Sequence, residues 1–280
     1  MSLAPSMSQE SNIKSTADAV KGIVEAVPVY QDTLQPAAKE VGNALQTVAK
    51  TLHIVLAPVS ALVWGYDKLK EFVSTQVAER LKDVPQARLA SPPPNIAGPA
   101  LEALKYTGYD KDLRELYANL LATAIDTQTL RHAHPSFVQV IQQLSPDEAK
   151  MLRSLAPIVS APKINIRKEQ KENSVGNWYT LHFSLLPFEA GCLAPDLGPT
   201  YLVNLARLGL VELMEVYELK RGDHDFYGPI VSRPEAQLVI QEISKDLNHK
   251  AVIQKGAVML TPFGRQFCYA CIQEGIHTAA

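Results

Sequence analysis

The residues whose types and spacing best suit metal chemistry are two closely spaced pairs. Cys268 and Cys271 stand in the phrase FCYAC, with Cys192 as a third candidate ligand, and His132 and His134 stand in RHAHPS. A structural zinc site usually shows two cysteine pairs, or one pair with closely spaced histidines. The chain lacks that second half, so we predict small buried cysteines and no metal or cofactor. Metal binding by the three cysteines stays open as the alternative.

No catalytic motif stands out. The chain has no Gly-rich phosphate loop, no GxSxG nucleophile elbow and no HExxH zinc motif. Three cysteines are too few for a secreted disulfide scaffold and fit a reducing cytosol. We therefore predict a cytoplasmic protein that is not an enzyme.

Nucleic-acid binding is the other candidate chemistry, through the phrase YLVNLARLGLVEL at residues 201–213. A helix stopped by Gly209 and followed by a strand is typical of a winged-helix domain, with Asn204 and Arg207 as the candidate contacts. Residues 194–210 hold one other charged residue, Asp196, and the presumed wing at residues 214–256 has six cations against seven acids. With a net charge of −2 for the chain, this balance disfavours nucleic acid and favours a protein partner.

The elements around this phrase predict a winged-helix-like α+β domain over residues 144–280. Ser145 with Pro146 and Glu148 forms a capping box with a first-turn proline, which marks a helix start. Two strands at residues 163–167 and 178–185 precede the helix at 199–208. A further strand leads to a terminal helix capped by Thr261.

Heptad spacing dominates the N-terminal part. After a predicted disordered tail at residues 1–15, residues 16–90 are predicted to form long amphipathic helices with a coiled-coil seam suited to self-association. The seam residues recur every three or four positions: Val41, Leu45, Val48, Leu52, Val55, Val59, Leu62, Tyr66, Leu69 and Val73.

The middle of this seam is apolar nearly all round and contains the helix-kinking Pro58. It is shorter than the roughly 18 residues that a spanning helix requires. One interpretation is conditional, peripheral contact with the inner membrane. The alternative is an ordinary core or oligomer interface. The candidate membrane or partner contacts are Leu52, Val55, Val59, Leu62, Trp64 and Tyr66.

A Pro-rich stretch separates the two parts. Residues 91–99 contain four prolines and predict an extended linker. Residues 100–143 follow as a helical region, in which Asp110 is a candidate N-cap. The predicted fold class is therefore α+β and mainly α, with N-terminal amphipathic helices before a C-terminal winged-helix-like domain.

Many phrases along residues 19–272 resemble the abortive-infection alpha family of bacterial proteins. They include VPVYQDTLQPAAKEVGNALQTVAKTL, ELYANLLATAID, HPSFVQVIQQLSPDEAKML, NLARLGLVEL and LTPFGRQFCYAC. The resemblance implies phage defence and brings no catalytic or binding residues with it. We expect a non-enzymatic defence protein that acts through protein interaction and conditional membrane association. The alternative is a winged-helix DNA-binding transcriptional regulator.

Overall fold

The computed structural model describes residues 64–220 and 222–272. The described residues form two compact units, the first with residues 64–144 and 269–272 and the second with residues 145–268. Each unit is described by itself below. The fold is α+β and mainly helical, with one four-stranded sheet. The predicted tail and the predicted helical region up to residue 63 lie outside the described residues.

The first unit is helical. Helix α1 (Tyr66–Phe72) continues through a π-helical segment (Val73–Val77) into α2 (Ala78–Leu81). The described part of this unit also contains α3 (Pro94–Thr107), α4 (Lys111–Ile125) and α5 (Ser136–Gln142), with 3-10 turns at Gln86–Arg88 and Leu130–His132. Asp110 caps α4 as predicted, because its side chain accepts a hydrogen bond from the Leu113 N–H at 2.9 Å.

The described end of the heptad seam differs from a continuous coiled coil. Gly65 is extended (φ −72°, ψ 173°), so α1 begins only at Tyr66 and the seam is interrupted there. The next seam residues, Leu69 and Val73, are buried inside the first unit. They contribute to the core of this unit rather than to a contact between copies.

The predicted linker at residues 91–99 is wrong in its second half. Pro94 occupies the first position of α3, where its missing N–H costs nothing, and Pro99 lies inside the same helix. Pro99 removes one backbone hydrogen bond. Ile96, Ala97 and Ala100 of this helix are fully buried, and this burial offsets the loss.

Buried polar side chains fasten the first unit at two places. Asp126 accepts hydrogen bonds from the guanidinium of Arg88, which lies in the 3-10 turn before α3. Asn119 and Thr123 of α4 donate to the carbonyls of Cys271 and Ala270, at 2.8 and 3.0 Å. These contacts satisfy carbonyls at the end of the terminal helix that would otherwise have no partner within that helix.

The second unit mixes helices and strands. Its helices are α6 (Pro146–Leu155), α7 (Leu186–Glu189), α8 (Gly198–Arg207), α9 (Gly228–Val231), α10 (Pro234–Ser244) and the start of α11 (Pro262–Cys271). Its strands are β1 (Ser160–Gln170), β2 (Gly176–Phe183), β3 (Val211–Met214) and β4 (His249–Leu260). The division between the units falls inside α11.

The sheet has the order β2-β1-β4-β3, and all its pairs are antiparallel. Ile164 and Ile166 of β1 belong to a buried cluster with Tyr227, Ile230 and Ile243, from the segment that contains α9 and α10. The alternate residues of β1 face the opposite side of the sheet. Helix α8 packs against β2 and β3.

The sequence patterns of the second unit predicted its helix ends well. Ser145 and Glu148 form the capping box, and the Gly264 N–H donates to the Thr261 hydroxyl at 2.8 Å. Gly209, which ends α8, has φ +72°, a conformation that favours glycine.

The segment at residues 214–256 was expected to form the wing as a long hairpin, and this prediction is wrong. Between β3 and β4 the chain forms the two helices α9 and α10. Pro229 and Pro234 stand at their starts, where proline is tolerated. Ile230, Ala236 and Ile243 then bury their side chains against the sheet. The many charged residues of this segment made the amphipathic pattern of the two helices hard to recognise in the sequence.

Candidate functional site

Helix α8 and the loop before it form the candidate site. Leu202 and Leu205 are buried and hold the helix in the second unit. Its other side presents apolar residues to solvent, since Val203 is 51% exposed, and Leu193 in the preceding loop is 90% exposed. Scattered surface leucines are ordinary, but this helix shows few charges beside its apolar side chains.

The polar side chains of α8 are bound to the start of α6. Asn204 Nδ2 donates to Glu148 Oε1 at 2.7 Å, and the Tyr201 hydroxyl donates to Asp147 Oδ2 at 3.3 Å. Glu148 Oε2 in turn accepts from the Ser145 N–H at 2.6 Å. The capping box of α6 therefore also positions α8.

Asp147 holds the loop that precedes α8. Its two carboxylate oxygens accept from the N–H groups of Leu193 and Ala194, at 2.9 and 3.0 Å, and Lys150 Nζ lies 3.1 Å away. Burial alone would raise the pKa of Asp147, but these hydrogen bonds and the ammonium outweigh it and lower the pKa. The carboxylate stays charged and keeps the loop in place.

The two candidate nucleic-acid contacts are bound to each other. Arg207 Nε and Nη2 both donate to Asn204 Oδ1, at 2.9 and 2.7 Å. Asn204 thus bridges Arg207 and the carboxylate of Glu148. A site built this way offers a phosphate one cation beside buried acids, which is a poor basis for nucleic-acid affinity.

The candidate membrane contacts divide between described and undescribed residues. Leu52, Val55, Val59 and Leu62 lie outside the described residues. Tyr66 is partly buried in α1, and Trp64 is 8% exposed. Among the described residues, no helix combines the length and hydrophobicity that a membrane crossing requires.

Trp64 occupies a defined place in the first unit. Its backbone N–H donates to the Lys105 backbone carbonyl at 2.8 Å. Its ring packs edge-on against Phe72 and Tyr109, each with ring centres 6.0 Å apart. A Cβ added at Gly108 would lie 2.5 Å from Trp64 Cδ2, so glycine is required for this packing.

The candidate metal ligands are not brought together as a site. In the part of the chain that the structure describes, no group of three or more His, Cys, Asp or Glu side chains is placed to hold a metal ion. Cys268 and Cys271 are buried, and Cys192 is partly exposed. The His132 ring packs against Tyr269, 4.4 Å between ring centres.

A buried polar cluster in the sheet was missed by sequence reasoning. Lys163 and Asn165, both on β1, have no exposed surface, and both contact the carboxylate of Glu215 just after β3. Asn165 also joins Gln254 at 3.0 Å and accepts from the His182 N–H at 2.8 Å. The alternation of polar and apolar residues in KINIR (residues 163–167) predicted a strand with one polar and one apolar face. It could not show that the polar face is buried.

His182, which contacts this cluster, has an uncommon backbone conformation and a lowered pKa. His182 has φ +57°, an uncommon conformation for a residue with a side chain. Burial and, secondarily, the nearby Lys163 ammonium lower the pKa of His182, while Glu215 opposes them. The ring is therefore neutral at pH 7, and the cluster holds one buried cation, Lys163, against one carboxylate.

Comparison with known proteins gives one family and one solved structure. The family model for abortive infection alpha matches residues 65–271. A solved structure of an uncharacterized protein from the marine bacterium Alcanivorax borkumensis SK2 is similar at 18% identity, over 50% of this chain and 92% of that one, with a TM-score of 0.35. No curated protein matches.

Proposed function

The chain belongs to the abortive infection alpha family, and from this premise we propose that it defends against phage by binding a protein partner, without catalysing a reaction. The partner, from host or phage, docks on the exposed side of α8 and its preceding loop. One observation carries the proposal: Tyr201, Asn204 and Arg207 of α8 form hydrogen bonds within the second unit, while Leu193 and Val203 are exposed.

The arrangement of the second unit supports a winged-helix-like domain put to this use. With β2, α9 and α10 set aside, the elements follow the order α6, β1, α7, α8, β3, β4, α11, with β4 between β1 and β3, as we expect of such a domain. The additional strand β2 and the helices α9 and α10 are departures from it. In this proposal α8 takes the place of the reading helix and meets protein.

The binding surface favours an apolar, near-neutral partner. Arg207 is held by Asn204, and Asp147 is used by backbone N–H groups. Exposed apolar side chains gain by being removed from water, at roughly 25 cal/mol for each Å² buried. A strongly charged partner would find little electrostatic complementarity here.

Phage plating with matched surface variants tests the proposal. Val203→Glu places a charge on the exposed side of α8, whereas Leu238→Glu places one on α10, where the side chain is also exposed. We expect Val203→Glu to lose protection and Leu238→Glu to keep it, with equal thermal stability in both. Protection by Val203→Glu equal to wild type would refute docking at α8. Steeply salt-dependent DNA binding that Arg207→Ala weakens would instead favour the transcriptional regulator.

Membrane association of the N-terminal helices is the second part of the proposal. Trp64 packs inside the first unit, so membrane contact through this residue requires its release, which agrees with a conditional contact. Leakage from anionic liposomes tests it. Absence of leakage and absence of toxicity on expression would leave protein binding as the whole activity.

A further inference from the structure

Two exposed tyrosines stand at the place where the described part of the first unit begins. Tyr106 is 55% exposed near the end of α3, and Tyr109 is 51% exposed in the turn before α4. We call these two residues the tyrosine patch. The ring of Trp64, the first described residue, packs edge-on against that of Tyr109.

The backbone of the chain enters beside the other tyrosine of the patch. The Trp64 N–H donates to the Lys105 carbonyl at 2.8 Å, and that carbonyl belongs to the peptide that joins Lys105 to Tyr106. It is one of the last four carbonyls of α3, which have no partner within the helix, so the bond also satisfies this helix end. Because Val63 is bonded to the Trp64 nitrogen, the residues before Trp64 start beside the backbone of Tyr106.

Side-chain contacts fix this starting point. Trp64 is buried, and its ring lies 6.0 Å from the ring of Phe72, centre to centre. The Arg114 guanidinium lies 5.8 Å from the centre of the indole, a distance at which a cation is attracted to the ring face. The residues that precede Trp64 are therefore tethered to the first unit at a defined place.

The cations beside the tyrosine patch already have partners. Lys105 pairs with the carboxylate of Glu102, and the Lys68 ammonium lies over the ring of Tyr109, 4.7 Å from its centre. An acidic partner would find these cations engaged. Exposed aromatic rings in such surroundings favour an apolar occupant.

The chain itself supplies an apolar occupant. Residues 59–63, with the sequence VSALV, directly precede Trp64, and residues 51–66 hold no Asp, Glu, Lys or Arg. Residues 59–63 lie outside the described residues. Five residues span at most about 17 Å, which suffices to reach two tyrosines three positions apart in sequence. A segment tethered next to its binding surface has an effective concentration in the millimolar range, so it competes well with a partner in solution.

We propose that residues 59–63 dock on the tyrosine patch and that this contact within one chain restrains the apolar segment. Packing of Val59, Leu62 and Val63 against the tyrosine rings removes apolar surface of both from water, which favours the contact. The segment becomes available to a membrane only when it leaves the patch. This restraint rests on the proposed membrane association, whereas the docking does not depend on it.

Photo-crosslinking of the full chain tests the docking. The photoreactive residue p-benzoylphenylalanine replaces Tyr106 in one variant and the similarly exposed Tyr179 of the second unit in the control. We expect position 106 to crosslink to residues 59–63 of the same chain, located by peptide mass spectrometry, and position 179 to form no crosslink to that segment. Absence of this crosslink from position 106 would overturn the proposal. A product with the mass of two chains would also overturn it, because the contact is then between copies.

Cleavage by elastase tests the same contact without a bulky probe. Elastase cuts after small apolar residues, which residues 59–63 provide. Tyr106→Ser removes one of the two rings of the patch, so cleavage within this segment should become several-fold faster than in wild type. Tyr179→Ser is the control and should be cut there at the wild-type rate, with equal circular dichroism for both variants. Equal cleavage rates in the two variants would refute docking on Tyr106.

Cosedimentation with vesicles of phosphatidylglycerol and phosphatidylcholine tests the restraint separately. We expect several-fold more Tyr106→Ser than Tyr179→Ser to sediment with the vesicles, since neither substitution changes the charge. Equal binding of wild type and Tyr106→Ser to the vesicles would refute the restraint. If no variant binds while the crosslink from position 106 forms, the proposed membrane association fails and the docking stands.

Discussion

The ammonium nitrogen of Lys163, which has no exposed surface, lies 3.1 Å from Oε2 of the half-exposed Glu215. Asn165 donates to the same carboxylate oxygen. Gly256 allows this approach, because a Cβ there would lie 3.1 Å from the lysine nitrogen and 2.3 Å from the Met214 carbonyl oxygen. The pair fastens the end of β3 to β1 across β4.

Glu215→Gln should destabilise the protein. Removing the carboxylate leaves the Lys163 ammonium buried without a counter-charge, which costs about 3–5 kcal/mol for a fully buried pair. Because Glu215 is half-exposed, we expect a smaller loss of about 1–2 kcal/mol, measured by urea unfolding. The control is Glu218→Gln, whose exposed pairs with Lys255 and Lys220 should matter little. Equal midpoints for the two variants would contradict a structural role for the buried pair.

The stability of the second unit should fall as the pH is lowered from 7 to 5. The pKa of His182 is lowered by burial and by Lys163, so below about pH 6.5 the unfolded chain binds a proton that the folded chain does not. Stability from this group is present above that pH and lost below it. His182→Asn should flatten the profile between pH 7 and 5, and asparagine tolerates the positive φ. An unchanged slope in thermal melts would show that another group is responsible.

The sequence predicted the ends of the helices better than it predicted which polar residues are buried. The capping box at Ser145, the Gly209 stop and the Thr261 cap depend on local backbone geometry, which residue types reveal. Lys163 and Asn165 alternate with isoleucines, a pattern that predicts a solvated face. Which residues cover that face depends on contacts distant in sequence, such as the one with Glu215.

The helices α9 and α10 show the same limit. Their segment has nearly balanced charges and several turn-forming residues, so composition predicted a long hairpin. Its apolar residues Ile230, Ala236 and Ile243 have a role only once β1 and β4 provide the surface they cover. For the candidate site, the pattern placed Asn204 and Arg207 on one helix but could not show that they bind each other.

Asp126→Ala should strongly destabilise the first unit. The Asp126 side chain has no exposed surface and accepts from Arg88 Nε at 3.0 Å and from the Gln128 N–H at 3.0 Å. Its removal takes a buried charged acceptor away from Arg88 and from the Gln128 N–H, for a loss of about 3 kcal/mol in the free energy of unfolding. Glu79→Ala, which breaks only an exposed pair with Lys82, is the control and should leave the unfolding midpoint nearly unchanged.

Cys192 should react slowly with iodoacetamide at pH 8. Burial, and secondarily the Asp147 carboxylate, raises the pKa of this thiol to about 11, and the thiolate is the reactive form. Asp147→Asn removes the negative charge and replaces one of the two oxygens that hold the loop by an NH2 group, which cannot accept, so alkylation should become several-fold faster. Mass spectrometry of the Cys192 peptide measures the rate. The buried Cys268 serves as an internal reference, and parallel acceleration at both cysteines would indicate general unfolding instead.

Gly108→Ala should displace Trp64 from its place in the first unit. The added Cβ would lie 2.5 Å from Trp64 Cδ2 and 2.6 Å from the Leu104 carbonyl oxygen. Such contacts do not occur in folded proteins, and the indole ring has to move away. In a Trp178→Phe background, Trp64 is the only tryptophan of the chain, so its release should shift fluorescence to longer wavelength and increase quenching by acrylamide.

Gly65→Ala is the matched control for this variant, because a Cβ at Gly65 would meet nothing within 4 Å. Its fluorescence should equal that of the background. If release of Trp64 is the condition for membrane contact, Gly108→Ala should also bind anionic vesicles more strongly than Gly65→Ala. A red-shifted Gly108→Ala variant that shows no gain in vesicle binding would confirm the packing of Trp64 while separating it from any membrane role.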